Sequence, residues 1–90
     1  MEYEWNPVKA KANARKHGVP FEEASTVFLD DLAVSGPDPE SSIDEHRYVT
    51  FGMSALGRLL AVFHTYRSRA IRIISARGMT RSERKIYEEG

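Results

Sequence analysis

The sequence predicts an α+β domain: two N-terminal helices packed on a curved antiparallel sheet (a meander), with a C-terminal helix added. Three observations predict it. Apolar residues recur at helical spacing in the first third of the chain. From residue 32 onward β-rich runs alternate with tight turns. A capped helix start follows the last run at Thr80. Ninety residues allow one domain and one modest core, so residues 1–90 are read as a single unit.

Met1, Tyr3 and Trp5 alternate with Glu2 and Glu4, the pattern of a short edge strand. Asn6-Pro7 then opens a helix, because Asn6 can cap free amides and Pro7 loses no needed N–H in the first turn. This helix is expected to run to about His17 and to stop at Gly18, which readily takes the left-handed cap conformation. Phe21, Ala24 and Phe28 share one face of a second short helix, ended by Asp30-Asp31. A short strand is expected at 32–35, and 36–45 reads as a polar, proline-interrupted loop. Residues 47–53, 59–66 and 70–77 are β-rich runs separated by turns at 54–57 and 67–69. Such short turns favour antiparallel neighbours. A helix over 81–89 closes the chain.

There is no cysteine, which excludes a disulfide frame, a thiolate nucleophile and a cysteine metal site, and which fits a reducing compartment. No apolar run reaches transmembrane length, and the acidic N-terminus does not read as a signal peptide, so no membrane role and a cytoplasmic location are expected. His17, His46 and His64 lack ligand spacing, so neither a metal nor a cofactor is expected. Neither a glycine-rich phosphate loop nor a nucleophile elbow is present.

The formal net charge of zero hides a polarised chain. Residues 1–45 carry four bases against ten acids, and residues 46–90 nine bases against three acids. Eight of those nine bases are arginines, whose planar fork suits phosphate or carboxylate. Either an anionic partner meets the basic half, or the halves neutralise each other in the fold.

The arginines concentrate where the 70–77 run meets the last helix. Strict strand alternation places Arg72 and Arg77 on opposite faces. Arg77, at the strand end with Ile71, Ile73 and Ser75, is the preferred phosphate ligand, while Arg72 is free to pair with a carboxylate. Thr80 and Glu83 form a capping box. Glu83 also lies on the stripe of Met79, Ile86 and Tyr87, where a carboxylate and a phenol one turn apart can do acid–base or phosphate-orienting work. Lys9, Asn13, Lys16 and His17 stack along one side of the first helix. Arg67 and Arg69 sit in a hairpin turn, which is ordinarily solvated surface but which can carry function.

These residues also look familiar. The run Arg72-Ile73-Ile74-Ser75-Ala76-Arg77 with the Thr80/Glu83 helix start, Trp5-Asn6-Pro7 and Lys9 upstream, and Asn13, Lys16, His17 and Gly18 at their spacing resembles the BrnT family of toxin–antitoxin ribonucleases. The resemblance runs from Trp5 to Tyr87 and implies a RelE-like fold and one BrnT-like toxin domain over residues 1–90. It also implies an endoribonuclease that arrests growth by cutting RNA. A cognate BrnA-like ribbon-helix-helix antitoxin would neutralise it in a hetero-oligomer, touching operator DNA only through the antitoxin.

RNA needs no covalent enzyme chemistry for cleavage, because its own 2′-OH is the nucleophile. The protein must take that proton, stabilise charge on phosphorus and help the 5′-oxygen leave. Lys9, Arg67, Arg77 and Glu83 are the candidate catalytic groups. Asn13, Lys16, His17, Arg81 and Tyr87 are the candidate substrate-binding groups. The alternative is a non-catalytic antitoxin-docking or co-repressor module, favoured by Gly78-Met79 standing where the family has a more basic pair.

Overall fold

Short turns fix which strands are neighbours in the chain, but the way the sheet closes at its edges depends on distant segments. The computed structural model describes residues 1–40 and 46–90. Five strands, β1 (Glu2–Glu4), β2 (Val34–Pro37), β3 (Tyr48–Met53), β4 (Leu59–Arg67) and β5 (Ala70–Gly78), form one sheet in the order β1-β5-β4-β3-β2. From β2 to β5 it is the expected antiparallel meander. The edge strand β1 pairs parallel to β5, with Tyr3 opposite Ile71, so the sheet is mixed rather than wholly antiparallel. A parallel partner needs a long crossover, here most of the chain, which no turn signal reports.

Helix α1 (Pro7–His17) starts and stops as its caps dictate. The Asn6 side-chain Oδ1 accepts from the Val8 and Lys9 amides, and Gly18 closes the helix at φ 69°. The second helical segment is tighter than its spacing suggests: α2 (Phe21–Ser25) passes into a 3₁₀ turn over Thr26–Leu29. Ser25 and Thr26 hydroxyls donate to the Glu22 and Glu23 carbonyls, competing with the helical ladder where it changes pitch. Asp30 then holds 31–33 in a turn by accepting from the Leu32 amide, which delays β2 to Val34–Pro37 instead of 32–35. Pro37 is tolerated because β2 is an edge strand. Of the loop read at 36–45, residues 36–37 are therefore strand, and 41–45 lie outside the described residues. Helix α3 (Arg81–Glu89) begins at the predicted capping box.

The core lies on one face of the sheet, where α1, α2 and the 3₁₀ turn cover Leu60, Val62, Ile71, Ile73 and Ala76 with Val19, Phe21, Ala24 and Val27. Gly52 lets the layers meet, since a Cβ there would sit 3.2 Å from the Val27 side chain. Ile71 and Ile73 share this face with Ala76, which strict alternation forbids. A bulge explains it: Phe63 pairs with Ser75 but His64 pairs with Ile73, so Ile74 is the extra residue. The phase of the strand flips there. Arg77 therefore points away from Ile71 and Ile73, and Arg72 and Arg77 lie on the same outer face, contrary to the alternation argument.

Candidate active site

The bulge decides which chemistry the outer face receives. Register places Arg67, Arg72 and Arg77 along it, with Thr65 opposite Arg72 and Ala61 opposite Arg77. They are not one cluster. Arg67 pairs with Ala70 at the hairpin end, and Arg77 lies seven positions along β5, about 20 Å away. A single phosphate cannot touch both, so Arg67 and Arg77 do not share a site. Arg72 donates to Glu4 at 2.8 Å, and Arg67 lies 3.9 Å from the same carboxylate.

Arg77 is held from three sides. Its Nη1 and Nη2 donate to the two oxygens of Glu83 at 2.7 and 2.9 Å, Nη1 also donates to the Gly78 carbonyl, and the cation sits 5.2 Å from the Phe63 ring centroid. Three of its N–H groups are thereby engaged. Among the described residues, the Nε–H and the remaining Nη2–H have no acceptor. They lie on one edge of the guanidinium, the fork that grips a phosphate bidentately.

Glu83 does double duty. Its Oε1 accepts from the Thr80 amide at 2.9 Å to complete the capping box, while both oxygens hold Arg77. Arg77 first, against the opposing effect of burial, and then the Thr80 amide keep the carboxyl below its ordinary value, so it is ionised at neutral pH. Reciprocally, Glu83 raises Arg77 further above its already high value.

This pair borders a groove of about 480 Å³ on the outer face. Val34, Val49, Phe51, Phe63 and Ile86 supply apolar walls, and Asp38 and Glu40 line it beside Glu83. Phe63 and the two carboxylates are the groups that sequence reading missed. Phe63 alternates with Ala61 and Thr65, but only the register shows which face that is. Asp38 and Glu40 fall in the stretch read as a loop.

The other candidates lie elsewhere. Lys9, Lys16 and His17 are exposed on α1, which meets the edge of β5 through Asn13. Among the described residues, those lining the groove beside Arg77 include none from the first helix. Asn13 is only 8% exposed, and its side chain serves the fold. Beyond β1 the edge of β5 has no strand beside it; Asn13 Nδ2 donates to the Ala76 and Val19 carbonyls, and its Oδ1 accepts from the Ala76 amide. Tyr87 donates its hydroxyl to Asp30 at 2.6 Å, and Met53 N–H donates to the same oxygen, so the phenol anchors α3. The Asp30 partner raises the phenol's pKa. Arg81 is exposed on α3, where with Arg84, Lys85, Glu88 and Glu89 it lines a second, open surface depression.

An arginine edge with no acceptor among the described residues, an ionised carboxylate bonded to that arginine, and further arginines along the same sheet face make an arrangement suited to an anionic ligand. The comparisons with known proteins supply the class. Residues 5–83 match the family model described as ribonuclease toxin, BrnT, of type II toxin–antitoxin system, and the chain belongs to that family. A type II system implies an antitoxin partner and an RNA target. The crystal structure of the Brucella abortus ribonuclease toxin BrnT superposes with a TM-score of 0.68 at 24% identity, covering 90% of this chain and 99% of that one, which shows a shared fold. No curated protein matches the sequence.

Proposed function

We propose that the chain cuts RNA without a metal, at the Arg77–Glu83 pair, by attack of the substrate's own 2′-OH. The observation that supports this most is the Nε/Nη2 edge of Arg77, which has no acceptor among the described residues, beside an ionised Glu83. In this reading that edge takes the non-bridging oxygens of the scissile phosphate and neutralises the charge that builds as the fifth bond to phosphorus forms. Glu83 Oε2 accepts one bond, from Nη2, and retains a lone pair for the 2′-OH proton. The 2′-oxygen bonds phosphorus, the bond to the 5′-oxygen breaks, and that oxygen takes a proton from water. The products are a 2′,3′-cyclic phosphate and a 5′-OH. DNA lacks the nucleophile and would not be cut.

Arg67 and Arg72, along the same face, would meet phosphates of neighbouring nucleotides. Arg81 on α3, and Lys9, Lys16 and His17 on α1, would touch RNA outside the groove rather than the reacting phosphate. The antitoxin would be a BrnA-like ribbon-helix-helix protein, with operator DNA reached only through it, and the complex would act in the cytoplasm.

The test uses purified chain on a short RNA and on the same oligonucleotide with one 2′-deoxy nucleotide at the cut. Cleavage of the first, with a cyclic phosphate on the 5′ fragment, and survival of the second at that position are expected. Cleavage of both, or of neither, refutes the scheme.

A further inference from the structure

We propose that the groove beside Arg77 is a nucleobase subsite that selects guanine through Asp38 and Glu40. The proposal rests on Arg77 as the phosphate ligand and adds the identity of the base attached to that phosphate.

The charges of the groove call for an explanation. One guanidinium and three carboxylates line it. A site for phosphate alone would be weakened by that excess of like charge. Glu83 already serves Arg77, the helix cap and the reacting 2′-OH, but Asp38 and Glu40 do not, and both stand near enough to Arg77 to act on its charge. Asp38 is 9% exposed; its Oδ1 accepts from the Glu40 amide at 3.0 Å, and among the described residues its Oδ2 has no hydrogen-bond partner. Pro37 and Pro39 restrict the backbone on both sides of Asp38. The remaining walls are apolar, with the rings of Phe51 and Phe63 among them. Rings that can stack on a base, next to fixed acceptors, suit an unpaired nucleobase better than a sugar or phosphate.

Base chemistry then selects among four ligands. Guanine presents N1–H and N2–H side by side, matching the two oxygens of a carboxylate. Adenine and cytosine offer one amino group next to a ring-nitrogen acceptor that repels the second oxygen. Uracil offers one N–H flanked by two carbonyls. A site built from carboxylates therefore favours guanine, and it disfavours the others by leaving the buried Asp38 acceptor unpaired.

The test titrates the whole chain with guanosine, adenosine, cytidine and uridine 3′-monophosphates, followed by NMR. The guanosine nucleotide should bind at least about tenfold tighter than the rest. Glu40→Gln, at an exposed position, and Asp38→Asn should each erase that margin without weakening the other three nucleotides, whereas Arg77→Ala should weaken all four. Equal binding of the four nucleotides, or a guanine preference surviving both carboxamide variants, overturns the proposal. RNA cut without regard to the base 5′ of the scissile phosphate also overturns it and leaves the nuclease reading standing. Selective guanosine 3′-monophosphate binding with no RNA cleavage sinks the nuclease reading and keeps the subsite.

Discussion

Acid should weaken this fold well before its carboxylates titrate, and His64 is the reason. Its ring is fully buried, 0% exposed, among the rings of Phe28, Tyr48 and Tyr66. Nε2 bonds the Thr50 hydroxyl at 2.8 Å, Thr50 bonds Ser35, and Nδ1 has no partner among the described residues. Burial lowers its pKa from 6.5 to about 4. The unfolded chain therefore binds a proton that the folded chain refuses, and stability falls as pH drops from about 6.5 to about 4. The full difference is worth about 3 kcal/mol, and roughly 2 kcal/mol of it is already lost by about pH 5. Urea unfolding at about pH 7 and about pH 5 measures this directly, and His64→Gln should flatten the profile over that interval. The carboxyls of Glu23, Asp30 and Glu83 are held below their ordinary values; they stabilise above the unfolded pKa and lose that contribution only at lower pH. Equal stability of the unsubstituted protein at the two pH values would refute the reasoning.

Two further outcomes follow from the side-chain pins. Asn13→Ala strips partners from the Ala76 amide and from the Ala76 and Val19 carbonyls, and should cost about 3 kcal/mol, read as a lower urea midpoint at unchanged slope. A loss under about 0.5 kcal/mol would mean that water replaces the amide there. Tyr87→Phe removes a bond to an ionised acceptor and should cost about 1–2 kcal/mol, with faster amide exchange concentrated in α3. Uniform exchange across α3 and the sheet would contradict its role as the anchor of that helix.

The parts of the fold written in adjacent residues were legible in the sequence. Asn6, Pro7 and Gly18 bound α1 because caps act within a few residues, and Thr80 with Glu83 starts α3 for the same reason. What stayed hidden was set by partners far away in the chain. The bulge at Ile74 follows from pairing β5 with β4, and it moved Arg77 to the face of Phe63 and Arg72. The parallel pairing of β1 follows from where the chain ends up after most of its length, and it leaves the β5 edge that Asn13 completes. Asn13 looked like a ligand on a polar helix face, and its side chain completes the open edge of β5. Glu83 was singled out both as a cap and as a site residue, and its two oxygens serve Thr80 and Arg77 at once.

In the proposed mechanism the Nε/Nη2 edge of Arg77 grips the phosphate being cut. Single-turnover cleavage of a short RNA by Arg77→Ala, in protein shown by circular dichroism to be folded, tests it most directly. A rate loss of about 100-fold or more is expected, the scale on which fixed donors to developing charge act. A folded Arg77→Ala protein cutting the same RNA within a few-fold of the unsubstituted rate would contradict the account.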